Sequence, residues 1–261
     1  MTGFPRIFLP AVLFAVPVHA ADLPDTGLGL CDNGSNVLVA CSAANTGDAA
    51  VYPRQDGRFG RDAAAAAGAF TKVGGGAAGF DYTKIANDGT TLSAGATLGT
   101  AATDWACTKD NITGLTWEVK TTDGGLRDWS WKYAWFSSNS ATNGGNAGGV
   151  GGVASCNGTL PGGLCNTEAL VTAVNAAALC SFTDWRLPTY RELFTLVNFA
   201  VHDPSIDTTY FPNTRGADSW SATSHIPGPA GAWIVGFSSG YAINSTKTAD
   251  NFVRLVRGGQ F

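Results

Sequence analysis

The sequence predicts an α+β domain: a pair of helices followed by antiparallel strands, with long irregular loops. Three observations predict it. Gly is abundant (34 residues) and only 14% of residues are charged, which suits a loop-rich extracellular domain better than a helical enzyme. Two helix starts carry capping residues, at Asn166 and Thr189. After them the chain returns to strand-like apolar runs broken by turns.

The first twenty residues read as a signal peptide. Arg6 gives a positive start, and Ile7 to Val18 is an apolar stretch too short to span a bilayer. Val18-His19-Ala20 then offers a small-x-small cleavage pattern, so Ala21 is the expected mature start. No later run is long and apolar enough for a transmembrane anchor. Export to the periplasm, the cell surface or the medium follows. Cleavage removes Arg6 and leaves 15 basic against 20 acidic residues, a net charge of about −5. That balance argues against nucleic acid as a partner, because such binding needs dense phosphate neutralisation.

Residues 21–104 form a Gly/Ala-rich region with a few strands. The Ala run after Asp62 is expected to make a short helix, capped by Asp62 and ended by Gly68. Val73 to Gly79 reads as a loop. Phe80 to Ile85 alternates apolar and polar, as a half-buried strand does.

Residues 105–261 are the better-structured part. Leu115 to Val119 alternates and reads as a strand. Ser137 to Leu164 is a Gly, Asn and Ser loop whose length is unusual and points to function. Asn166 caps a helix to about Leu179, with Leu170, Val171, Val174 and Ala178 on one face. Thr189 and Glu192 form a capping box for a second helix, with Leu193, Leu196 and Val197 facing a core. Trp233 to Phe237, the Ser238-Ser239-Gly240 turn and Phe252 to Val256 read as closing antiparallel strands.

Six cysteines in an exported chain argue for disulfides, and six allow fifteen pairings. Spacing favours Cys31–Cys41 and Cys156–Cys165 as short loops, which leaves Cys107–Cys180 as the long-range bridge. There is no Cys-x-x-Cys, and only His202 and His225 remain in the mature chain, so neither a metal centre nor a cofactor is expected. No nucleophile elbow, zinc-protease helix or phosphate-binding loop is present, and no pair of carboxylates is spaced for glycoside hydrolysis. The chain reads as a non-enzyme. Trp117, Trp185 and Trp233 read as core, and Asp184 and Arg186 as an internal ion pair or backbone anchors.

Asp110-Asn111-Ile112-Thr113-Gly114-Leu115-Thr116-Trp117-Glu118 resembles the opening of the family named for the C-terminal domain of the Legionella collagen-like adhesin. Asp184-Trp185-Arg186-Leu187-Pro188-Thr189, then Arg191-Glu192-Leu193, is similar to its central signature. Tyr210 to Thr214, Trp220 to Thr223, Ala232 to Phe237 and the ending Val253 to Gln260 follow in the family's order. The resemblance covers roughly residues 105–261, and Gln55 to Asp62 resembles a stretch upstream in some members. It implies a C-type-lectin-like fold: two helices beside a twisted antiparallel sheet, with a loop region that carries ligand.

The resemblance implies binding and adhesion, with sulfated polysaccharide as the namesake's ligand. The partner expected here is a glycan or protein outside the cytoplasm. A structural subunit of a surface layer or appendage is the alternative. No collagen-like Gly-X-Y tract occurs, and the sugar-chelating triplets Glu-Pro-Asn and Gln-Pro-Asp are absent. The ligand surface is expected on loops around Trp220 to His225 and Tyr241 to Asn251. Trp220, Ser224, His225, Tyr241, Asn244, Lys247 and Asn251 are its candidate residues. These segments lie between signature blocks, mix Ser, Thr and Asn with aromatic area, and match the region that varies in retroelement-diversified relatives.

Overall fold

The computed structural model describes residues 25–35, 37–41, 51–52, 54–151 and 155–259. The expected signal peptide lies outside these residues. The fold is mixed α+β, with antiparallel sheets, few helices and three disulfides. Strand β1 (Cys31–Asp32) pairs with β2 (Leu38–Val39). Helices α1 (Asp56–Phe59) and α2 (Arg61–Ala66) follow. Gly60, not Asp62, occupies the N-cap of α2; Asp62 sits in the first turn and is buried.

A four-stranded sheet comes next, in the order β11-β5-β4-β3. Its members are β3 (Tyr82–Ala86), β4 (Trp105–Asp110), β5 (Leu115–Glu118) and β11 (Val256–Gly258). The sheet thus crosses residue 105, because β3 pairs with β4 from Tyr82↔Asp110 to Ala86↔Trp105. Strand β5 is the strand expected at Leu115 to Val119, and it is buried on both faces. Glu118 is tolerated there because Lys120 Nζ donates to it at 2.8 Å and the Leu255 N–H donates at 2.9 Å. Phe252 to Leu255, expected as strand, is irregular. Arg254 pulls this segment inward, donating from one Nη to Glu118 O at 2.6 Å and from the other to Thr214 Oγ1 at 2.7 Å. Burial brings the Arg254 pKa down to about 10.

The second sheet has the order β7-β8-β9, from β7 (Asp218–Ser224), β8 (Gly231–Gly236) and β9 (Tyr241–Thr246). The segments expected as ligand loops, Trp220 to His225 and Tyr241 to Asn251, are largely strand. A two-residue pairing of β6 (Tyr133–Ala134) with β10 (Asp250–Asn251) stands beside them. Helix α3 (Thr167–Ala176) starts at Asn166, whose Oδ1 accepts the Ala169 N–H at 2.9 Å. Helix α4 (Tyr190–Phe194) starts at the Thr189–Glu192 capping box.

Side chains of β8 feed two apolar cores, since successive residues point to opposite faces. Ala232 and Ile234 join Trp135, Trp185 and Trp220 on one side. Val235, with Phe237 just past the strand, joins Leu193, Leu196, Trp117 and Phe211 on the other. The bridges are Cys31–Cys41, Cys107–Cys180 and Cys156–Cys165, the pairs that spacing favoured. Three disulfides suit an oxidising, extracytoplasmic compartment. Among the described residues no helix is long and apolar enough to cross a membrane.

Candidate binding surface

Residues 137–148 of the long loop are tightly built. Ser137 N–H donates to Ala147 O at 2.9 Å, and Asn143 Nδ2 donates to Ser137 O at 3.1 Å. Two anchors tie it to the β7-β8-β9 sheet. Lys247 Nζ donates to Asn143 O and Asn146 O, each at 2.7 Å, and lies 4.1 Å from the centroid of the Trp135 ring. Ser224 Oγ donates to Thr142 O at 3.2 Å. Burial lowers the Lys247 pKa, and the two carbonyls and the ring face provide the compensating negative charge.

Between this loop, α3 and β7 lies a groove of about 470 Å³. Ser137, Asn139 and Thr142 line its loop side, and Glu168 and Thr172 its helix side. Trp135 and Phe136 form apolar floor, and Arg186 stands at one wall. Glu168 Oε2 accepts the Ser138 N–H at 2.7 Å and its hydroxyl at 2.9 Å, which fixes the carboxylate at the rim. Arg186 is not paired with Asp184. Its Nη groups grip Glu192, and the side chain stays 40% exposed. Hydrogen bonding to Glu192 raises the Arg186 pKa further. Asp184 pairs instead with Arg257, at 2.7 Å.

The residues expected to bind ligand do not form one surface. Trp220 is fully buried and donates from Nε1 to Tyr133 O at 2.7 Å, so it is core. Lys247 is 1% exposed, and Ser224 is buried as well. Both hold the groove wall from beneath rather than face solvent. Tyr241 and Asn244 are three apart on β9, which puts them on opposite faces of the sheet. The Tyr241 ring packs over Gly236, where any Cβ would lie 2.2 Å from it, and its hydroxyl donates to Asp218 at 2.6 Å. Asn251 is half-buried in β10, its Nδ2 at 3.4 Å from Ser245 Oγ.

His225 lies 5.7 Å from Trp233, which stacks on Tyr190 at 5.3 Å, and Asn244 is the cross-strand partner of Trp233. Trp233 is thus half-exposed in an aromatic cluster, whereas Trp117 and Trp185 are core as expected. The groove residues Ser137, Asn139, Thr142, Glu168 and Thr172 carry no local motif. The length of the loop is a signal for Ser137, Asn139 and Thr142, and nothing in the sequence marks Glu168 or Thr172.

No curated protein and no solved structure matches the chain. A family model does match, that of the Lcl C-terminal domain, over residues 106–257. That span begins in β4 and ends in β11, and it contains the loop, both capped helices and every residue of the groove. The chain therefore belongs to the Lcl C-terminal domain family.

Proposed function

We propose that the chain is an exported, non-enzymatic binding protein, with a C-type-lectin-like domain, that recognises a glycan in the loop groove. The observation that carries this is the groove itself. It is concave, it places hydroxyl, amide, carboxylate and guanidinium groups around an apolar floor, and its loop wall is held by buried anchors. Such a mixture suits a hydroxyl-rich ligand, whose polar edges need many partners and whose ring faces need apolar area. Arg186 and Glu168 are both committed to internal partners, so they offer oriented polarity rather than an acid–base pair. The partner lies outside the cytoplasm, where the disulfides are stable.

A glycan array read with the exported form, followed by Thr172→Trp, tests this. Thr172 is exposed on α3 at the groove, so an indole there fills the cavity without disturbing the core. The expected result is binding to a defined set of glycans that drops at least about tenfold in the variant. Full binding by a folded Thr172→Trp protein would place the ligand elsewhere.

A second reading rests on β9. It is the outer strand of its sheet, with Ile243 50% and Tyr241 36% exposed. An open edge of this kind is a template for another strand, which fits an assembly subunit. Sedimentation of the exported form separates the readings, since assembly requires a concentration-dependent oligomer.

A further inference from the structure

Asp25, Asp56 and Asp62 come together at the start of the described chain. One carboxylate oxygen from each lies within 4.8 Å of the other two. Asp25 and Asp62 are 6% and 2% exposed. The Oδ2 atoms of both are buried, and no N–H group and no Ser, Thr or Tyr hydroxyl among the described residues donates to them. Their Oδ1 atoms are satisfied by the Thr26 and Gly79 N–H groups, so the second oxygens are the ones left bare. The Thr26 hydroxyl donates to Asp56. Arg61 lies over the Phe70 ring at 4.0 Å and donates from Nε to Gly79 O at 3.2 Å.

Bare buried oxygens are costly, and three converging carboxylates add mutual repulsion. Hard anionic oxygens from separate segments, at this mutual spacing, are the donor set of a hard divalent cation. Calcium tolerates irregular oxygen shells, whereas magnesium demands a near-ideal octahedron.

We propose that Asp25, Asp56 and Asp62 bind a calcium ion. The site uses neither histidine nor cysteine, which is why the sequence pointed to no metal. The ion neutralises the cluster and clips the segment at Asp25 to α1 and α2. That segment in turn reaches the chain just after α4, because Phe199 N–H donates to Thr26 O at 2.9 Å. The site is a structural staple, and it lies outside residues 106–257.

Thermal unfolding of the exported form, stripped with chelator and titrated with calcium chloride, tests this. The expected result is a Tm that rises saturably, by roughly 5 °C or more at a hundredfold excess over Kd, and responds more weakly to magnesium. Asp62→Asn removes one charge with little change of shape. In chelator it unfolds at or above the wild-type temperature, because repulsion is relieved, and it no longer responds to calcium. Asp56→Asn, at a half-buried position, loses the response too and serves if Asp62→Asn does not fold. A wild-type Tm indifferent to calcium overturns the proposal. So does a calcium response that survives in the folded variants.

Discussion

Both Nη groups of Arg186 donate to the Glu192 carboxylate, at 2.8 and 2.6 Å, and the same carboxylate accepts the Thr189 N–H at 2.7 Å. One side chain therefore closes the capping box of α4 and fixes the guanidinium at the groove wall. Thr189→Ala is expected to cost about 0.5–2 kcal/mol, the usual effect of losing a cap. Glu192→Ala should cost more, about 2–3 kcal/mol, because it also strands Arg186. Urea unfolding checks the order. Equal losses would mean that Arg186 gains nothing from its partner.

The same pair sets an acid dependence. Burial works to raise the Glu192 pKa, but hydrogen bonds from Arg186 and from the Thr189 N–H outweigh it and hold the carboxyl below its ordinary 4.5. A carboxyl depressed in the folded state stabilises fully above its unfolded pKa and loses that contribution as pH falls through the folded value. The stability difference between wild type and Glu192→Gln should therefore be constant near pH 6 and shrink below about pH 4.5. A difference that stays flat down to pH 3 would contradict this account.

Lys247→Met keeps the aliphatic stem over Trp135 and removes the ammonium. Two loop carbonyls, of Asn143 and Asn146, then lose their donor. The expected cost is about 1–3 kcal/mol. Amide exchange should accelerate locally, in residues 137–148, with little change in α3. Unchanged protection there would show that the loop is held by its own turns.

Replacing Cys107 and Cys180 together by Ala should cost about 2–5 kcal/mol, as for other native bridges of secreted domains. The bridge spans 73 residues and joins β4 to the turn at Leu179–Ser181. Removing Cys156–Cys165, which spans 9 residues, should cost less, since closing a short loop restrains the unfolded chain less. Unfolding midpoints of the two double variants give the comparison.

How much of this was legible in the sequence depended on range. The starts of α3 and α4 were legible because caps are local: Asn166 bonds three residues on, and Thr189 and Glu192 bond each other. Strand β9 was not. Tyr241 to Thr246 is exposed or half-exposed throughout, so it lacks the alternation that marks a half-buried strand. Lys247 reads as a surface residue until its partners, 101 and 104 residues away, fold against it. Asp184 and Arg186 stand two residues apart, yet each found a partner that is distant or local for its own reason: Asp184 pairs with Arg257, 73 residues away, and Arg186 with Glu192 of the capping box.

Strand β3 has a practical meaning. The family match starts at residue 106, inside β4, but the hydrogen-bonded partner of β4 is encoded upstream. A protein cut to the family boundaries would carry β4 as a raw edge and leave the Tyr210–Phe211 pair without the Tyr82 ring that lies 5.5 and 5.1 Å from them. Exposed edges and uncovered aromatic surface invite self-association. For this chain the family match is shorter than the sheet it enters, and a protein cut to keep that sheet whole should begin before Phe80.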